Sequence, residues 1–84
     1  MLVPLHGFLH GDTLGLVVLV HDHQRIRELA ASLQEAAACR VAPREHMRVM
    51  FGGRVLDPES TIAECGLGAL DRIDVIPEVD DGTP

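Results

Sequence analysis

The apolar residues of this chain change period twice. From Leu14 to Val20 they alternate, from Ile26 to Ala37 they recur at i, i+3, i+4, i+7 and i+11, and from Met47 onward alternation returns. Period two is the signature of a strand and the 3.6-type spacing that of a helix. One helix flanked on both sides by short strands leaves few solutions: a hairpin, a crossover helix and further strands close into one mixed sheet with the helix packed across a face. The expected class is therefore α+β.

The individual segments carry their own signals. "LVPLHGFL" and "TLGLVVLV" read as two strands about the turn "HGD", with Leu14, Leu16, Val18 and Val20 on one face. Val17 and Leu19 on the other face predict a strand covered on both sides. Pro4 lacks a backbone donor, which suits an edge strand or a bulge. Asp22 is the expected N-cap of a helix through "HQRIRELAASLQEAAAC", closed where Pro43 forces its predecessor out of helical geometry. "MRVMF", Gly52-Gly53 and "RVL" make a hairpin. Thr61 and Glu64 form a capping box over one turn ended by Gly66. "DRIDVI" then turns Ile73 and Val75 inward and Asp74 outward as a closing strand.

At 84 residues this is one thin-cored domain with little room for a deep pocket. The net charge of −6 argues against a nucleic-acid partner, which needs a basic stripe. Two Phe with no Trp or Tyr leave few rings for stacking on bases or sugars. Charge is uneven: residues 57–84 hold eight acids and only Arg72, a balance of −7, while residues 1–56 hold six arginines against five acids. No lysine is present, so no side-chain amine is available for isopeptide or Schiff-base chemistry. Cys39 and Cys65 are too few for a disulfide framework or a zinc site and read as free buried thiols of a reducing compartment. The opening residues lack a basic leader, and "LGLVVLV" is too short to span a bilayer, so the expected location is the cytoplasm, away from membranes.

The element order is that of the ubiquitin-like β-grasp fold, and "RVMFGGRVLDPESTIAECGLGALDRIDVI" resembles the second half of such domains without a gap. Val49, Leu56, Ile62, Leu67, Ile73 and Val75 fall on the core positions of that fold. The resemblance implies a β-grasp domain over residues 1–78 followed by an acidic tail over 79–84. Ubiquitin-like modifiers and sulfur carriers act through a C-terminal Gly-Gly, whereas this sequence closes "VDDGTP" with Gly82 alone.

"LVPLHGFLHGDTLGLVVLVHD", "CRVAPREHMRV" and "TIAECGLGALDRIDVIPE" together resemble a narrower family: the small gamma subunit of the hydroxylase of toluene-4-monooxygenase and its relatives. These are soluble di-iron monooxygenases acting on arenes and alkenes. The middle departs from the pattern, with "MFGGRVL" where those subunits often carry a charged stretch. The resemblance implies a non-catalytic structural subunit docked on a large iron-bearing subunit, alongside a medium subunit, in a hetero-oligomer. It implies no cofactor in this chain and a di-iron centre in the large partner, the whole system being dependent on NADH and O2. Two other readings are a free ubiquitin-like adaptor and a bacterial ubiquitin-like secretion component, which "AECGLGALDRIDV" also resembles.

Candidate sites are sparse. No Glu-x-x-His occurs, so the chain lacks the ligand pattern of a carboxylate-bridged di-iron site. His21 and His23, with His6 or His10, lack a third ligand at fixed spacing and read as solvated loop histidines. Asp71 and Asp74 read as turn and surface acids, Ser32 and Ser60 lack an activating His-Asp pattern, and Gly52-Gly53 precedes no helix that would hold a phosphate. What remains is a partner surface. Arg40, Arg44 and Arg48 are candidates for bidentate pairing with a partner's carboxylates, with pairing to Glu45 or the acidic half as the alternative. Met47, Met50 and Ile76 would add apolar area beside them.

Overall fold

The computed structural model of the protein describes residues 1–42 and 46–77. Five strands and one helix follow in the order β1 (Leu2–Leu9), β2 (Gly15–His21), α1 (Ile26–Ala36), β3 (Met47–Phe51), β4 (Arg54–Val55) and β5 (Arg72–Pro77). The strands form one sheet in the order β2-β1-β5-β3-β4. β1 runs antiparallel to β2 and parallel to β5, and β3 runs antiparallel to both β5 and β4. This is the mixed sheet with a crossing helix that the periodicity requires.

Alternation sorts the sheet into two faces. Val3, Leu5 and Leu9 of β1, Val18 and Val20 of β2, Val49 of β3 and Ile73 and Val75 of β5 are buried against α1. From the helix come Ile26, Leu29, Ala30 and Leu33, joined by Ala37 just past its end, and the loop before β5 adds Ile62 and Leu67. Each fully buried Leu or Ile of this layer contributes about 1.5–3 kcal/mol relative to leaving it in water. Gly7 fixes the spacing, since a Cβ there would stand 3.0 Å from both Cδ atoms of Leu33. The absent side chain lets α1 settle onto the centre of β1.

Several local expectations are corrected by longer-range contacts. Pro4 lies on an interior strand, because β5 flanks β1 on the side away from β2. It is tolerated there because β5 pairs with β1 only from His6 onward, so no donor is needed at position 4, while the Pro4 carbonyl accepts the Leu70 N–H at 2.6 Å. The helix begins at Ile26 with Arg25 as its N-cap, three residues beyond Asp22. Its first amides are held by a distant loop: Ile26 N–H donates to the Ser60 carbonyl at 2.8 Å and Arg27 N–H to the Pro58 carbonyl at 3.1 Å. Those bonds satisfy orphan donors that a side-chain cap would otherwise take. Asp22 instead accepts the N-terminal ammonium at 3.3 Å and binds Ala63 N–H through its carbonyl at 2.9 Å.

The helix also ends earlier than Pro43 requires, with Ala37 as its C-cap. Cys39, beyond it, is exposed rather than buried, and Cys65 is half-buried with burial pushing its thiol pKa up. The β3–β4 hairpin turns through Gly52 and Gly53, whose φ angles of 60° and 81° are those a two-residue turn of this hand demands. Thr61 and Glu64 cap each other as expected: Thr61 N–H donates to the Glu64 carboxylate at 2.7 Å and Glu64 N–H to the Thr61 hydroxyl at 3.1 Å.

Candidate docking surface

Among the described residues no helix crosses the second face of the sheet. β1 presents Leu2, Pro4, His6 and Phe8 there, and the register places them opposite His21, Leu19, Val17 and Gly15 of β2. β5 adds Arg72, Asp74 and Ile76, and β3 adds Arg48 and Met50. The centre of this face is a small aromatic cluster. The His6 and Phe8 rings lie 4.6 Å apart, and the Arg72 guanidinium stands 4.2 Å from the Phe8 ring centre while donating to Asp74 at 3.2 Å. Both rings lie over Gly15, where a Cβ would come within 2.7 Å of His6 Nε2 and Phe8 Cε2 as they stand.

On the β2 side of that cluster the surface turns apolar and uncharged. Val17 is 59% exposed, Leu19 64% and Leu2 52%, so the expectation that β2 is covered on both sides fails within this chain. The sequence offered a signal for this strip, apolar residues at both parities of β2, but that pattern does not say who covers the second face.

The six candidate interface residues separate. Arg48, Met50 and Ile76 share the open face, with Arg48 directly opposite Ile76 across the β3–β5 ladder. Met47 points to the other side, packing against the core and lining a groove of about 520 Å³ between α1 and β3–β4 with Ile26, Ala30, Val49 and Leu56. Arg40 is engaged within the chain. Its guanidinium grips Asp12, Nε at 3.0 and 3.1 Å from the two oxygens and Nη2 at 2.8 Å, with the Asp12 side chain only 2% exposed. Those bonds hold the Asp12 carboxyl below its ordinary pKa and raise that of Arg40. Among the described residues its carboxylate partner is thus Asp12, which lies in the first half of the chain. Arg44 and Glu45, like the tail, lie outside the described residues.

The other polar candidates are accounted for locally. Asp71 accepts Gly68 N–H at 2.7 Å and shapes the turn before β5, and Asp74 pairs with Arg72. The His21 and His23 rings lie 5.2 Å apart, and His6 is turned onto Phe8. Among the described residues no three His, Cys, Asp or Glu side chains come together as a metal-holding group. A di-iron centre draws its carboxylates and histidines from several facing helices, and α1 is the one α-helix among the described residues. The donor set of these residues does not fit such a centre. Nor is any described helix long and apolar enough to cross a membrane.

Comparison with known proteins agrees with this architecture. None of the curated proteins matches the chain. Among solved structures, a chain of a toluene 4-monooxygenase HD complex with the inhibitor 4-bromobenzoate superposes with a TM-score of 0.85 at 32% identity, covering 93% of this chain and 100% of that one. Ubiquitin of Caldiarchaeum subterraneum superposes with a TM-score of 0.73 at 17% identity, covering 98% of this chain and 100% of its own. A designed protein based on ubiquitin reaches 0.79 at 22% identity, covering 99% and 96% of the two chains. The last two establish a ubiquitin-like fold. Residues 2–76 match the family described as toluene-4-monooxygenase system protein B (TmoB), and the chain belongs to that family.

Proposed function

We propose that this chain is a non-catalytic structural subunit of a multicomponent monooxygenase hydroxylase, docked in the cytoplasm on a large iron-bearing subunit with a medium subunit in the same assembly. The observation that carries the reading is the full-length similarity to a chain of a toluene 4-monooxygenase complex, joined to membership of the TmoB family over residues 2–76. The chemistry of this chain supports it. Among the described residues Asp12, Asp22, Glu28, Asp57, Glu59, Glu64, Asp71 and Asp74 serve turns, caps and ion pairs, and an exposed aliphatic strip of Leu2, Val17 and Leu19 lies on the open sheet face. Oxygen activation and the binding of an arene or alkene fall to the partner, and this subunit contributes a rigid β-grasp module that holds partner segments in place. No feature favours the adaptor or secretion readings over this one.

Affinity capture of the tagged chain from its native cells, with mass spectrometry and iron analysis of what accompanies it, tests the proposal. A larger iron-containing protein in fixed ratio is the expected result. A chain recovered alone, or with proteins that hold no iron, would contradict it.

A further inference from the structure

Of the sheet's two edges, formed by β2 and β4, the β2 edge is unusually bare. β2 is the outermost strand on that side, reads "GLVVLVH", and carries no acid, arginine or proline over seven residues. Natural edge strands are ordinarily protected by charge, proline, bulges or a covering element, because unpaired N–H and C=O groups template another strand. Here the backbone direction can be read from the bonds present. Asp22 N–H donates to the Met1 carbonyl, and Leu2 is opposite His21, so in this antiparallel ladder Val20, Val18 and Leu16 exchange bonds with β1. The amides and carbonyls of Val17 and Leu19 therefore face away from the sheet. The same two residues also carry the most exposed apolar side chains of the strand, on the open face.

The charges flanking the edge are neutralised within the chain. Asp12, before β2, is held by Arg40, and Asp22, after it, meets the N-terminal ammonium. What the edge offers is backbone hydrogen bonding plus aliphatic surface, with no charged side chain on the strand itself.

We infer that β2 is the docking edge, and that its occupant is an uncharged extended segment of a larger hydroxylase subunit, laid alongside as a sixth strand with its aliphatic side chains over Val17, Leu19 and Leu2. A helix satisfies its own backbone and would leave the amides of Val17 and Leu19 unpaired, whereas a strand satisfies them and fills the apolar strip together. A second copy of this chain is the poorer occupant, since each copy carries a net charge of −6. The inference rests on the subunit reading above and names the surface by which it is met.

The test uses the full-length 15N-labelled chain and the remaining hydroxylase components. In the free chain the Val17 and Leu19 amides exchange rapidly while those of Val18 and Val20 are protected. On assembly Val17 and Leu19 should slow by about 100-fold or more. Leu19→Asp, at an exposed side chain, should keep the amide spectrum of the folded chain yet weaken capture by at least about tenfold. Val17→Pro, which removes one outward N–H at an edge that tolerates proline, should do the same. Capture of the hydroxylase with unchanged exchange at Val17 and Leu19, or undiminished capture by Leu19→Asp, would overturn this assignment while leaving the subunit reading intact. Failure of the wild-type chain to associate would remove both. Sedimentation of the free chain as a β2-paired dimer would also overturn it, by assigning the edge to a second copy.

Discussion

On β2 the two faces of this sheet carry the same kind of aliphatic residue, Val18 and Val20 on one side and Val17 and Leu19 on the other, and live in different surroundings. On the helix side, Val3, Leu5, Val18, Val20, Ile73 and Val75 are buried. On the open side, Leu2, Val17 and Leu19 are more than half exposed, and the only charges among the central strands are Arg72, Asp74 and Arg48. A single domain rarely leaves contiguous aliphatic surface in water without a use for it. The inner face is explained by this chain alone; for the outer face, the docking proposed above supplies the use.

That contrast yields a graded set of tests. The largest effect belongs to the inner face: Leu33→Ala should cost about 3 kcal/mol of folding stability, since Leu33 is fully buried against Gly7 and its removal opens a cavity. In a domain whose total stability is of order 5–10 kcal/mol, denaturant titration would show a large midpoint shift. A loss below about 1 kcal/mol would mean that the helix does not pack as described.

Acid should come next, through carboxylates held by hydrogen bonds. Asp12 is held below its ordinary pKa chiefly by the Arg40 hydrogen bonds, Glu28 by Gln24 and then the Arg25 amide, and Glu64 by the Thr61 amide and hydroxyl. A carboxylate depressed in the folded state contributes stability that is fully present above its unfolded value and is lost as pH falls through the folded one. Melting temperature should therefore hold from pH 7 to about 5 and decline below about pH 4. Asp12→Asn should lower the neutral-pH melting point and flatten that decline; an equally steep decline would remove Asp12 as a contributor.

Gly15→Ala addresses the outer face. The new methyl group would push against the far ends of the His6 and Phe8 side chains, which lie at the surface and can swing away. Stability should change by less than about 1 kcal/mol, while the amide and ring signals of His6, Phe8 and Arg72 move. A loss comparable to that of Leu33→Ala would mean that the open face is as rigidly packed as the core.

The smallest effect is expected at Leu70, an exposed leucine with φ of 62°. Leu70→Gly should relieve left-handed strain and stabilise the isolated chain by up to about 1 kcal/mol. A loss above about 1 kcal/mol, more than the added freedom of glycine in the unfolded chain accounts for, would mean that the leucine side chain contributes packing to the fold.

The fold could be read from the sequence because its determinants are local and periodic. The buried helical positions Ile26, Leu29, Ala30 and Leu33, with Ala37 at the C-cap, follow from spacing alone, and the Gly52-Gly53 hairpin and the Thr61–Glu64 box from turn and cap chemistry. What escaped depended on contacts far apart in the chain. The helix start is set by the carbonyls of Pro58 and Ser60, and Arg40 is claimed by Asp12, 28 residues away. The candidate surface was only partly visible. Arg48, Met50 and Ile76 do share the open face, but Met47 faces the helix, and the Val17–Leu19 strip looked like a second core face. In one dimension, a strand covered by its own chain and a strand awaiting a partner have the same pattern.

The most direct test of the structural-subunit account is reconstitution. The hydroxylase would be prepared without this chain, and its iron content, melting temperature and product formation measured before and after the purified chain is added back. Iron retained throughout by the large component, with a melting temperature and yield of assembled enzyme that rise to saturation at a fixed ratio of added chain, is the predicted result. Iron that follows this chain, or a hydroxylase indifferent to its presence, would contradict it.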